Sequence, residues 1–241
     1  MRVSNPDSTP QPKRAWDRYD AYLFDIDGTL LHSTDAVHYF AFCDALTSLA
    51  GRPLNLDGVT AHGNTDIGIL RDAFTLAGIA GHDWRPRLPL LQAAMCRFVE
   101  ARRDELCMTI LPAVRHVLAH LRAHGAVLGV ATGNLEHIGR IKLDRCGLLE
   151  TFDFGGYSDA YEYRRDVFAG ALEKARALAG VEAHVCVVGD TPEDVRSARA
   201  NDLDVIAVAT GIYGFEELQS EHPDWCLHSL EELPIPTHSQ A

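Results

Sequence analysis

Short runs of apolar residues, each closing on a polar or glycine-containing turn, punctuate this chain. AYLFDID (21–27), AVLGVAT (126–132), HVCVVGD (184–190) and DVIAVAT (204–210) are the strong ones, and DWCLHS (224–229) is a weaker fifth. The strong runs do not alternate cleanly between apolar and polar positions, so both faces of each are covered, as in a buried parallel sheet. Between them the period changes. LPAVRHVLAHLRAHG (111–125) has apolar residues at helical spacing, with Pro112 near its first turn and Gly125 past its last. Those residues favour a helix start and a helix stop. RDVFAGALEKARALAG (165–180) and TPEDVRSARAND (191–202) repeat the pattern. Strand and helix in alternation predict an α/β fold, a Rossmann-like doubly wound parallel sheet.

The alternation stops between residues 35 and 107. AVHYFAFCDALTSLAG (36–51), DIGILRDAFTLAG (66–78) and LPLLQAAMCRFVEARRDEL (88–106) are all helix-periodic, which predicts an α-helical insertion packed over the sheet. The expected organisation is a flexible N-terminal arm over 1–18, a core from 19–34 and 108–233, a helical domain over 35–107, and a flexible tail over 234–241. The arm and tail are assigned on their proline, serine and polar content.

Length and charge narrow the picture. A chain of 241 residues suits one large domain, or a core with one sizeable insertion. The net charge of -12 is spread along the chain and argues against nucleic-acid or anionic-membrane partners, while leaving room for a small anionic substrate. The six cysteines form no CxxC, so neither a zinc site nor a redox pair is implied. The start MRVSNPDSTPQPKRAW lacks an apolar signal-like stretch and no apolar run is long enough to span a bilayer. A reducing, cytoplasmic location is the expectation. His116, His120 and His124 recur on one predicted helix, but Val114, Val117, Leu118 and Leu121 form its apolar stripe. The histidines then fall on the solvated side, with no acid cluster beside them to make a metal face.

Ligands of an open α/β sheet bind beyond the carboxyl ends of its strands. The polar residues closing the strong runs are Asp25 and Asp27, then Thr132, then Asp190. Two acids two positions apart project to the same side of an extended backbone. Clustered carboxylates raise one another's pKa, and a bound Mg2+ resolves the conflict through its preference for carboxylate oxygens, water and phosphate. Thr132 also suits a helix N-cap, and Asp194 stands three residues after Thr191 in TPED, the spacing of a capping box. Thr65 and Asp66 precede a helix of the insertion, where they either cap it or contact substrate.

FDIDGTLL (24–31), GVATGN (129–134) and VVGDTPEDV (187–195) together resemble the motifs of the haloacid dehalogenase superfamily, over roughly residues 20–232. Within it the chain looks most like the phosphoglycolate-phosphatase-like branch, and the helical insertion resembles the cap of those enzymes. The resemblance implies a Mg2+-dependent phosphatase that hydrolyses a small phosphorylated metabolite through an aspartyl-phosphate. Asp25 would be the nucleophile. Asp27 would be acid and then base, with its backbone carbonyl toward the metal. Thr132, Gly133 and Asn134 would hold the phosphate, Asp190 and Asp194 would complete the metal site, and Thr65 and Asp66 would touch substrate. One departure stands out: the family's third-motif lysine is missing from SDAYEYRRDVF (158–168). Arg164 is the best replacement, Arg165 the next, and Lys142 or Arg71 the cations to turn to after them. A phosphomutase, a dehalogenase and a non-catalytic phosphate-binding protein are the rival readings, and the pattern leaves the oligomeric state open.

Overall fold

The computed structural model describes residues 14–235. Strand β1 (Ala21–Phe24) is buried along its whole length. It is followed by the short strands β2 (Leu31–Ser33) and β3 (Met108–Ile110), which pair antiparallel with each other. Then come β4 (Val127–Ala131), β5 (Phe154–Gly156), β6 (Val185–Gly189), β7 (Asp204–Val208) and β8 (Trp225–Leu227). These five and β1 form one parallel sheet in the order β5-β4-β1-β6-β7-β8. The chain winds outward from β1 in both directions, and the crevice at such a switch point is where ligands bind.

Helices α1 (Val37–Ala50), α2 (Asp66–Leu76), α3 (Gly81–Trp84) and α4 (Leu88–Ala101) fill the segment between β2 and β3. Helices α5 (Val114–Ala123), α6 (Glu136–Arg145), α7 (Arg164–Ala179), α8 (Pro192–Ala200) and α9 (Phe215–Ser220) alternate with the sheet strands. The two-residue repeat of β1 explains the layering. Tyr22 and Phe24 meet Val117, Leu118 and Leu121 of α5 on one face. Ala21 and Leu23 meet Val167 and Phe168 of α7 and Ala198 of α8 on the other. Both faces are thus dry, which is why the runs show no alternation.

A separate apolar cluster holds the inserted helices together around Leu46, Leu70, Phe74, Trp84 and Met95. It does not stop at residue 107. Leu135, just before α6, and Ile138 and Ile141 within it are buried in the same cluster, so a helix of the core shares its apolar face with the cap.

Several expectations need correction. The arm does not run free to residue 18: Trp16 is 4% exposed, its carbonyl accepts the Tyr22 hydroxyl at 2.7 Å, and its ring stacks on His120 at 5.2 Å. One large aromatic ring anchors the polar stretch around it. Residues 1–13 of the expected arm lie outside the described residues. In the tail, Ile235 packs against the core and 236–241 lie outside the described residues. His116 and His124 are exposed, but His120 is half-buried and has an acid beside it, Asp17 at 3.1 Å. The strands β2, β3 and β5 are three residues each, too short for a period to show. In β5 two of the three are glycines of low strand propensity. No helix among the described residues is long and apolar enough to cross a membrane.

Candidate active site

Asp25 continues β1 by one residue, its N–H donating to the Val188 carbonyl at 2.9 Å. Ile26 turns into the core and is fully buried, so the acids on either side of it stand clear of that core. Gly28 follows at φ 84, and a Cβ there would lie 2.2 Å from Asp190 Oδ2. Only glycine lets the turn press this close to the end of β6. Thr29 donates its hydroxyl to Asp190 Oδ1 at 3.0 Å. Three strand ends, β1, β4 and β6, thereby bring Asp25, Thr132 and Asp190 to one cavity.

The carboxylates of Asp25, Asp190 and Asp194 are all buried, with an oxygen from each within 4.8 Å of the others. Arg164, the first residue of α7, lies between two of them: Nη2 is 2.8 Å from Asp25 Oδ1 and Nε donates to Asp194 Oδ1 at 2.7 Å. Arg164 Nη2 is buried against the Asp25 carboxylate, its contact there an ion pair rather than a well-aligned hydrogen bond. Asp194 caps a helix and also stands in the acidic cluster. Its second oxygen accepts from the Thr191 N–H at 3.0 Å and hydroxyl at 2.7 Å, closing a capping box at the start of α8. Arg165 is exposed and pairs with Asp166, away from the cavity.

Three buried carboxylates against one guanidinium leave excess negative charge. Burial pushes Asp25 up to about 6, with Arg164 opposing and Asp194 and Asp27 adding to the rise. Burial likewise raises Asp190 well above the usual carboxylate range, and Asp25 and Asp194 push it further. A compact set of oxygen donors with unbalanced charge fits a hard divalent cation. A carboxyl whose folded pKa exceeds its unfolded value favours the fold at low pH and weakens it as pH rises through the interval between the two. Cation binding relieves that strain only where the groups must ionise. Millimolar Mg2+ should therefore raise Tm by about 5 °C at pH 8 and by less than half as much at pH 5. Equal shifts at the two pH values in a thermal-melt series would remove the cation from these carboxylates.

The Asp27 carboxylate is absent from this cluster. It faces a second cation, Lys142 of α6, whose ammonium donates to both its oxygens at 2.9 and 2.7 Å. Lys142 also donates to Asn134 Oδ1 at 2.8 Å, and Asn134 Nδ2 donates to Asp27 at 2.8 Å and to Thr132 Oγ1 at 2.7 Å. Burial works against ionisation of Asp27, but the charge and hydrogen bond of Lys142, with Asn134, outweigh it and hold the carboxyl below its usual range. Any metal contact from Asp27 is thus left to its backbone carbonyl. The side chain of Asn134, which also lines the cavity, fastens Asp27 and Thr132 to Lys142. The readable signal for Lys142 is its place four residues after Ile138, on the buried stripe of α6 where a lysine needs a partner.

His38 of α1 extends the row: Nδ1 is 3.3 Å from Lys142 Nζ and Nε2 is 3.2 Å from Asp66 Oδ2. Asp66 reaches the cavity, but its carboxylate accepts from the Leu135 N–H at 2.8 Å and its own N–H donates to the Gly133 carbonyl at 2.7 Å. Thr65 does not reach it. Fully buried, its hydroxyl accepts from Gly68 N–H and donates to the Glu162 carbonyl, both at 2.9 Å. Its expected substrate contact gives way to helix capping and a tie between cap and core. A Cβ on Gly133 would lie 2.1 Å from the Asn64 carbonyl oxygen, so this close approach of the cap requires glycine.

Residues 19–202 match the haloacid dehalogenase-like hydrolase family. The chain is 31% identical to a phosphoglycolate phosphatase of Cereibacter sphaeroides over 182 residues, 75% of this chain and 81% of that protein. It is 24% identical to a phosphoglycolate phosphatase of Nitrosococcus oceani, over 88% of this chain and 93% of that one. Among solved structures, the crystal structure of a predicted phosphatase from Clostridium acetobutylicum superposes with a TM-score of 0.65 at 20% identity, covering 89% of this chain and 96% of its own.

Proposed function

The chain belongs to the haloacid dehalogenase-like hydrolase family and is a phosphoric monoester hydrolase, and from that premise we propose that it cleaves a small phosphomonoester by way of a covalent aspartyl-phosphate on Asp25. The observation that carries this reading is the buried group Asp25, Arg164, Asp190 and Asp194 gathered at the strand ends beside Thr132.

Asp25 attacks phosphorus, forming an oxygen–phosphorus bond as the bond to the leaving alcohol breaks. Arg164 steadies the equatorial oxygens, and the Thr132 hydroxyl with the backbone N–H groups that follow it holds another. Asp27 donates a proton to the departing alkoxide and then accepts one from the water that hydrolyses the acyl-phosphate. Before substrate arrives Lys142 keeps Asp27 ionised. A phosphate dianion entering beside it raises its pKa and promotes proton uptake. Asp25, Asp190 and Asp194, with the Asp27 carbonyl, would hold Mg2+, which when bound supplies charge neutralisation to the attacking carboxylate and the phosphoryl oxygens. A dehalogenase needs no acid for its leaving halide and no metal, so Asp27 and Asp190 favour the phosphatase reading over it. The curated relatives named above supply the narrower candidate, a phosphoglycolate-like substrate.

The test is phosphate release from p-nitrophenyl phosphate with and without EDTA, for the native enzyme and Asp190→Ala. EDTA should abolish turnover, and Asp190→Ala should lower activity at least about 100-fold while raising the Mg2+ concentration required. Turnover indifferent to EDTA would overturn the metal-assisted mechanism. Complete inactivity across a panel of phosphorylated metabolites would leave a phosphate-binding protein on the same fold.

A further inference from the structure

The cavity above Asp25 is large for a two-carbon leaving group. It measures about 580 Å³, within the range that encloses drug-sized ligands. Its cap-side wall is apolar: Phe42, Leu56, Ile69 and Leu106 are buried side chains that face it, and Tyr39 extends the wall toward solvent.

Its lysine and arginine are already committed. Five aspartates line the cavity, Asp25, Asp27, Asp35, Asp66 and Asp190, against one lysine, one arginine and the histidines His32, His38 and His62 among the described residues, with His38 set beside Asp66. The arginine is paired with Asp25 and Asp194, and the lysine with Asp27. Arg71 lies in a neighbouring hollow, paired with Asp72 at 2.8 Å and set over the Tyr163 ring. A second anion on the substrate would therefore meet an excess of carboxylates and no uncommitted lysine or arginine, in a partly desolvated space where like charges repel strongly. A cationic leaving group is attracted rather than repelled, but the two carboxylates nearest the apolar wall already carry donors, and an ammonium set against that wall would lose its hydration. Asp35 is used by the Ser33 hydroxyl and the N–H groups of Val37 and Cys107, and Asp66 by Leu135.

We propose that this site selects phosphomonoesters whose alcohol is uncharged and carries an apolar portion, and discriminates against those with a second acidic group. The inference rests on the phosphatase reading and departs from phosphoglycolate itself. Binding energy from the apolar wall, remote from phosphorus, would position the reacting group, and each buried methylene of the alcohol adds a factor of roughly 10 or more.

The experiment compares kcat/KM under saturating Mg2+ for phosphoglycolate, 2-hydroxyethyl phosphate, phosphoethanolamine and 2-phenylethyl phosphate, with p-nitrophenyl phosphate as the common reference. The phenylethyl ester should lead, the hydroxyethyl ester should follow, and phosphoglycolate should trail the first by at least about 100-fold. Tyr39→Arg, at the exposed end of the wall, should narrow the gap between phosphoglycolate and the hydroxyethyl ester by about fivefold or more. Phosphoglycolate or phosphoethanolamine in first place, with p-nitrophenyl phosphate turned over, overturns the inference alone. An unchanged gap in Tyr39→Arg overturns its electrostatic basis. No turnover of any ester overturns the phosphatase reading and the inference with it.

Discussion

Asp25→Asn should lower kcat by at least about three orders of magnitude while leaving the protein folded. The amide keeps the shape of the side chain and removes the electron-rich oxygen that attacks phosphorus. It also takes one negative charge from a site where burial and neighbouring acids already push Asp25 up to about 6. The variant should therefore melt no lower than the native protein in the absence of metal, because the fold no longer confines that charge. Rapid-quench trapping of phosphoenzyme separates the outcomes. Native protein should show an acid-stable, base-labile phosphoryl group and the variant none. Near-native turnover in a folded Asp25→Asn protein would remove the nucleophile role.

Arg164→Ala should have the next largest effect, lowering kcat/KM by about 100- to 1000-fold. The side chain is 3% exposed and touches both Asp25 and Asp194. Removing it leaves two buried carboxylates facing each other without compensation, a situation that costs about 3–5 kcal/mol when a buried pair is broken. Circular dichroism and a Mg2+-dependent melt are needed to separate lost folding from lost chemistry. Arg164→Lys is the informative companion. It restores the charge without the planar fork that reaches two carboxylates at once, so it should recover stability more fully than turnover. Arg165→Ala should stay within about twofold of native, since that guanidinium is exposed beside Asp166. A crippled Arg165→Ala next to a healthy Arg164→Ala would reverse the assignment.

The parts of the site that were legible in the sequence share one cause. Strand ends in a doubly wound sheet converge, so an apolar run that closes on an acid or a threonine announces both an element and a position. Asp25, Thr132 and Asp190 stand out on that ground alone. Lys142 does not, because helical periodicity is read from apolar residues and a buried lysine counts as an interruption of the stripe. Its meaning depends on Asp27, 115 residues away in sequence and 2.7 Å away in space. Thr65 illustrates the converse limit. A hydroxyl before a helix has the same local pattern whether it caps, binds or does both, and only the Glu162 carbonyl opposite it decides. Trp16 was hidden by averaging, one ring within a polar stretch.

The apolar face of α6 sits in the cap's own cluster while its lysine reaches the Asp27 carboxylate. One buried stripe of a single rod thus packs on the inserted helices and also delivers a lysine to the proposed reaction centre. Cap exchange between relatives, cut at residues 35 and 107, would leave Leu135, Ile138 and Ile141 facing a foreign surface and would tilt the helix that carries Lys142. For this protein the transferable cassette is larger than the insertion: it is the four inserted helices together with 135–145, and a chimera that ignores the second segment would change its chemistry along with its taste in substrates.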